Sequence, residues 1–131
     1  MIHAAIILTG ALALMILGLV WYSPLLFGGP WRRLSGISKE AGTGKAYFFA
    51  FISALIMSTV VHYFIWMSGA HNFFQAASMG YMLWVGLVAT TLLSGVLWES
   101  RPFPLYLINA GHYLVGIFLM SQLSLYARRF I

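Results

Sequence analysis

The sequence predicts an all-α fold: a bundle of four transmembrane helices with a short interfacial helix in the first loop. Three observations lead there. Four long apolar runs occupy roughly residues 2–22, 46–67, 76–97 and 103–125; almost no ionisable side chain falls inside them; and turn-forming residues separate them. At about 1.5 Å rise per residue each run reaches about 30 Å as a helix, the thickness of a bilayer's hydrocarbon layer. A helix bonds its own backbone where water is absent, so it is the form such a run takes in lipid. Composition agrees, with 62% hydrophobic and 7% charged residues, far from the mixture of a soluble domain. The runs fill nearly all 131 residues, so residues 1–131 read as one integral membrane domain with no aqueous catalytic module.

The first run, 2–22, has neither a basic leader nor a small-residue cleavage pattern and is long enough to span, so it is expected to remain as a helix. Gly10 and Gly18 flank Leu14 on one of its faces. After Pro24 ends it, Leu25, Leu26 and Phe27 are apolar and Gly28-Gly29-Pro30 signals a turn. From Trp31 to Ile37 the apolar Trp31, Leu34 and Ile37 alternate with Arg32 and Arg33, which predicts the interfacial helix. Its arginines would meet lipid phosphates, at about 1 kcal/mol each near an anionic surface; a phosphate-bearing substrate is the sharper alternative. Gly42-Thr43-Gly44-Lys45 lacks the first glycine of a phosphate-binding loop, and Thr43 reads instead as the cap of the second long helix.

In the second run Ala50, Ala54, Ser58 and His62 recur every fourth residue, and in the third Gly86, Thr90 and Ser94 do the same beside Ala89 and Gly95. Helices in lipid associate where small residues allow close approach or polar groups bond across, so these stripes mark the packing faces. The fourth run puts Asn109, His112 and Gly116 on one face. Gly18 to Pro24 and Gly95 to Pro102 resemble one another, as two helical hairpins related as parallel repeats would.

An even number of spans puts both termini and the 68–75 loop on one side. Arg32, Arg33, Lys39, Lys45 and Arg101 lie in the other loops, against Arg128 and Arg129 on the terminal side. Five against two predicts cytoplasmic loops and external termini. Trp21, Tyr22, Trp31, Tyr47 and Trp98 on the loop side, and Tyr63, Trp66, Phe73, Phe74 and Tyr126 on the other, read as interfacial belts. The net charge of +5 is scattered over span ends and one loop, a pattern for anchoring at a membrane surface and not for nucleic acid.

Cysteine is absent, which removes disulfides, thiolate metal sites and cysteine nucleophiles, and aspartate is absent, which removes a Ser-His-Asp triad. His3, His62 and His71 share the terminal side, but with no acid or cysteine nearby no metal is assigned, and no cofactor is expected. Glu99 and Arg101 read either as a local ion pair or as a coupling carboxylate with its partner. Asn109 and His112 need partners inside the membrane, either a hydrogen-bond clamp to Thr90, Thr91 or Ser94, or a ligand.

Trp21-Tyr22-Ser23-Pro24-Leu25-Leu26-Phe27-Gly28, and Leu97 to Pro102 followed by Leu107 to Leu114, resemble the signatures of a family of small bacterial membrane proteins known as domain of unknown function seventeen sixty-one. The resemblance covers nearly the whole chain. It implies a four-span fold in a bacterial inner membrane, shared residues at Trp21, Ser23, Pro24, Glu99, Arg101, Asn109 and His112, and no known activity.

The expected site is therefore a polar seam of Trp21, Ser23, Glu99, Arg101, Asn109 and His112, with lipid contact at Trp31, Arg32 and Arg33. The expected function is non-enzymatic: a transporter-like or small-ligand-binding homo-oligomer whose seam opens to water. The alternative is an accessory or scaffold subunit that binds another membrane protein. A lipid-headgroup or quinone binder using Trp31, Arg32 and Arg33 is a third reading.

Overall fold

A computed structural model describes residues 1–36 and 43–130; Ile37, Lys39 and Gly42, which entered the loop and charge readings, lie outside the described residues. The chain forms α1 (Ile2–Trp21), α2 (Gly28–Ser35), α3 (Gly44–Met67), α4 (Phe73–Leu83), a π-helical stretch (Trp84–Ala89), α5 (Thr90–Trp98) and α6 (Phe103–Ala127), which closes in a 3-10 turn (Arg128–Phe130). From Phe73 to Trp98 the helix is continuous, so four helices are long and apolar enough to cross a membrane.

Local chemistry moves the boundaries from those expected. Thr43 Oγ1 accepts from the Ala46 amide at 3.2 Å, and that cap starts α3 at Gly44. Asn72 Oδ1 accepts from the Gln75 amide at 2.9 Å and starts the third long helix at Phe73, three residues ahead of its apolar run. The short helix begins at Gly28, before Trp31, because Pro30 falls in the first turn, where its missing N–H has no helical acceptor. Gly36, left-handed at φ 70°, ends it. The π-helical stretch has no signal in the apolar pattern.

The fourth long helix is the axis. In its most apolar stretch 39% of residues are buried, against 11% in the third long helix. α1 and α3 pack on one side of α6 and on each other, while α4 to α5 lie along another side of α6. Small residues set the spacing. A Cβ on Gly10 would collide with Ser58 Oγ, one on Gly80 with Ser121 Oγ, and one on Gly116 with Leu14 Cδ1. These contacts bring α1 against α3, α4 against α6 and α1 against α6, as expected where close backbone approach drives association. Leu14, Ala54, Val61, Ile65, Ile117 and Met120 pack in the resulting core.

At the end holding the termini, α1, α3 and α6 are joined by a polar chain. Ser124 Oγ donates to the Met120 carbonyl, so it accepts from His62 Nδ1 at 3.1 Å; His62 Nε2 therefore accepts from His3 Nδ1 at 2.8 Å. Arg128 stacks over Trp66, 4.6 Å from its centroid, and donates to the Ile65 and Trp66 carbonyls. Tyr63, Trp66 and Trp21 thus serve packing between helices as well as any belt, whereas Trp98 is 84% exposed. Trp21 and Trp98 accordingly occupy unlike surroundings at the two resembling helix ends.

Replacing Gly10 with Val inserts two methyl groups and a Cβ where Ser58 already sits. Thermal unfolding in detergent should show a loss of about 1–3 kcal/mol. Gly86→Ala, with nothing within 4 Å of the added Cβ, should leave stability unchanged or slightly raised.

Candidate functional site

The turn after α1 organises one end of the bundle. The Ser23 carbonyl accepts from the Leu26 and Gly28 amides at 3.1 and 3.0 Å, and the Trp21 carbonyl from the Phe27 amide at 3.0 Å. Gly28 is required there, since a Cβ would collide with the Tyr22 and Ser23 carbonyl oxygens. Ser23 Oγ donates to the Val20 carbonyl at 2.6 Å, so its hydroxyl closes the helix end. This turn folds α2 back until Trp31 lies 5.1 Å from Tyr22 and Phe27 lies 4.7 Å from Trp21, centroid to centroid.

The same segment fastens α1 to α6. Trp21 Nε1 donates to the Ile108 carbonyl at 3.0 Å, and the Tyr22 hydroxyl donates to Asn109 Oδ1 at 2.8 Å. Gly111 gives the indole its place, as a Cβ there would stand 3.1 Å from Trp21 Cζ2. From the other side of α6, Trp84 Nε1 donates to the Ala110 carbonyl at 2.8 Å, and the Tyr106 hydroxyl donates to the Ala89 carbonyl at 3.0 Å. One stretch of α6, residues 106–110, thereby receives or makes a bond with each flank.

Because α1 leans on α6 at this end, it parts from α3. Between them opens a cavity of about 610 Å³. Leu14, Met15, Gly18, Leu19 and Tyr22 of α1 face it, with Ala46, Tyr47, Ala50, Ser53, Ala54 and Met57 of α3, His112 and Tyr113 of α6, and Trp31 and Arg32 of α2. Leu19, Ala46, Tyr47, Ala50 and Ser53 are exposed, so the cavity is an open wedge. The small-residue stripe of α3 is split in function: Ser58 and His62 close the bundle at the terminal end, and Ala50 and Ala54 line the wedge at the loop end.

His112 forms part of the buried wall. It is 7% exposed, and both ring nitrogens are buried without a hydrogen-bond partner among the described residues. The clamp to Thr90, Thr91 or Ser94 is not made: those hydroxyls bond the Gly86, Leu87 and Thr91 carbonyls of their own helix. The rings around His112 are Tyr113, Tyr22 and Trp21, at 4.9, 5.3 and 6.3 Å.

The expected seam is therefore divided by α6. Glu99 and Arg101 lie on the far side, where Ser100 turns left-handed at φ 55° and Arg101 Nε meets Glu99 Oε2 at 2.9 Å. Both side chains are about 60% exposed, a local surface pair. They border a smaller cavity of about 180 Å³ with Thr91, Ser94, Tyr106 and Asn109. Asn109 alone reaches both sides, bonding Tyr22 while it lines the smaller cavity. Trp21 and Ser23 are tied to backbone carbonyls. Of the predicted lipid contacts, Arg32 and Trp31 line the wedge, whereas Arg33 is exposed outside it.

The wedge residues that sequence reading missed are Met15, Leu19, Ala46, Ser53, Met57 and Tyr113, and Tyr47 was read only as part of a belt. The spacing of Ala46, Ala50, Ser53, Ala54 and Met57 on one face of α3 is the signal that could have found part of it. Among the described residues, no three His, Cys, Asp or Glu side chains are grouped to hold a metal ion.

A family model described as "Protein of unknown function (DUF1761)" matches residues 5–124. No curated protein and no solved structure matches the chain.

Two substitutions separate fastening from surface charge. Tyr22→Phe removes the bond to Asn109 and should cost about 1 kcal/mol in thermal unfolding. Glu99→Gln breaks an exposed pair and should change stability by less than about 1 kcal/mol, less still at high salt.

Proposed function

The chain belongs to the DUF1761 family of unknown function, and from that premise we propose that it is an integral membrane protein that holds a small ligand in the wedge between α1, α3 and α6. The observation that carries this reading is the open cavity of about 610 Å³ itself, walled by three long helices and α2, with the buried ring of His112 in its wall. The nitrogens lie beneath the cavity surface, so His112 offers an occupant its ring and not a hydrogen bond. The cavity's size and mainly apolar, aromatic lining with a few convergent polar groups are those of small-molecule sites.

Binding fits the geometry better than permeation. Below the wedge, Gly10 meets Ser58, and the His3–His62–Ser124 chain ties the three helices together. The wedge is therefore open at one end only, and passage to the other side would require that contact to part. In this reading α4 to α5 flank α6 without reaching the wedge, and their exposed apolar side chains Tyr81, Met82, Leu87 and Leu97 face lipid or another copy.

Native mass spectrometry of the protein released gently from its own membrane tests the proposal. A stoichiometric small molecule on the wild-type chain, lost from Ala50→Trp at unchanged melting temperature, is the expected result. The same spectrum reports subunit number. A wild-type chain that carries no small molecule and travels with a different protein would replace this reading with that of an accessory subunit.

A further inference from the structure

We infer that the wedge takes a single-chain amphiphile with an anionic head, a carboxylate or phosphate monoester held at Arg32 with its apolar chain along α1 and α3; this rests on the ligand-binding reading above and adds the chemical class. The lining is graded from one end to the other. At the loop end the rings of His112, Tyr22 and Trp31 follow one another at 5.3 and 5.1 Å, and Arg32 adjoins Trp31 in the chain. At the other end the wall is Leu14, Met15, Ala54 and Met57.

The slot is elongated, because its lining runs from Leu14 to Tyr22 on α1 and from Ala46 to Met57 on α3, about 12 and 16 Å at the helical rise. That suits an extended chain under a compact head. Among the described residues Arg32 is the only charged side chain in the lining, and its sign selects the head. A guanidinium presents paired N–H donors that match the oxygens of a carboxylate or phosphate. The exposed Leu19, Ala50 and Ser53 along the wedge leave the chain a sideways entry between α1 and α3.

The second arginine supplies the internal control. Arg33 neighbours Arg32 on α2 and is also exposed, yet it does not line the wedge. An effect of general surface charge would not distinguish the two, whereas a head seated in the wedge would.

The test titrates the full chain in a neutral detergent with palmitate, hexadecyl phosphate, hexadecanol and inorganic phosphate, reading occupancy by native mass spectrometry. Palmitate and hexadecyl phosphate are expected to bind at least tenfold more tightly than hexadecanol, and inorganic phosphate not measurably. Arg32→Gln should remove that preference and leave hexadecanol unchanged, Arg33→Gln should preserve it, and Ala50→Trp should abolish binding of every probe. Hexadecanol binding as tightly as palmitate, or equal effects of Arg32→Gln and Arg33→Gln, would overturn the anionic class while the Ala50→Trp result still supports the wedge as the site. Inorganic phosphate competing through Arg32 would replace the amphiphile with a free anion. Binding of all probes unaffected by Ala50→Trp would overturn both this inference and the reading it rests on.

Discussion

Every other long helix of this chain is held to α6, and in the membrane setting proposed for it that must happen without help from water. Between apolar helices in an apolar surrounding no hydrophobic gain separates contact from separation, so association rests on close backbone approach and on polar bonds made across the gap. The structure uses both. Gly116 admits Leu14, Gly80 admits Ser121, and Trp21, Tyr22 and Trp84 send their polar hydrogens to carbonyl or amide oxygens between residues 108 and 110. Each donor belongs to an amphipathic ring whose body fills space while its single N–H or O–H finds an acceptor. Sliding α1 along α6 by one turn would separate Trp21 from Ile108, Tyr22 from Asn109 and Leu14 from Gly116 together, so the register is over-determined.

That fastening has a consequence at the loop end. α1 cannot lie against α6 through Trp21 and Tyr22 and also against α3 through Ala46 and Ala50, and the bonds to α6 prevail. At the terminal end no such conflict arises, because Gly10, Ser58 and Met120 meet where all three helices converge and His62 bonds both neighbours. The wedge is thus the geometric remainder of a three-helix packing closed at one end and pinned to one partner at the other. His112 lies one turn from Asn109 and faces Gly18, so the residue left without a partner among the described residues stands beside those that do the fastening.

Much of the architecture was legible because an apolar run of about 20 residues admits few structures. The face of Asn109, His112 and Gly116 follows from three- and four-residue spacing, and it does meet α1. What the pattern does not carry is which helix each stripe meets. Ala50, Ala54, Ser58 and His62 repeat evenly along α3, yet half of that stripe closes the bundle and half lines a cavity, a difference set by the tilt of α1. Trp21 and Trp98 occupy matching places in sequence; one is bonded to α6 and the other is exposed, and no local residue distinguishes them. Glu99, Arg101 and His112 read in sequence as one seam, but α6 separates the surface pair from the imidazole. The motif around Ser23-Pro24 and Gly28 marks a demanding backbone turn, and sequence reading assigned its serine to a polar seam when its hydroxyl closes the end of α1.

The absence of cysteine makes the central claim, that α1 and α3 touch at one end and part at the other, directly measurable by paired cysteines. A Cβ on Gly10 lies 3.4 Å from Ser58 Cβ, close to the separation a disulfide spans, whereas Leu19 and Ala50 face each other across the wedge. Oxidation in the native membrane should close the Gly10→Cys, Ser58→Cys pair and leave the Leu19→Cys, Ala50→Cys pair open unless a longer bifunctional reagent is supplied. Direct oxidation of the Leu19→Cys, Ala50→Cys pair as readily as the other would mean that the two helices meet along their whole length, and the wedge, with the site built on it, would not exist.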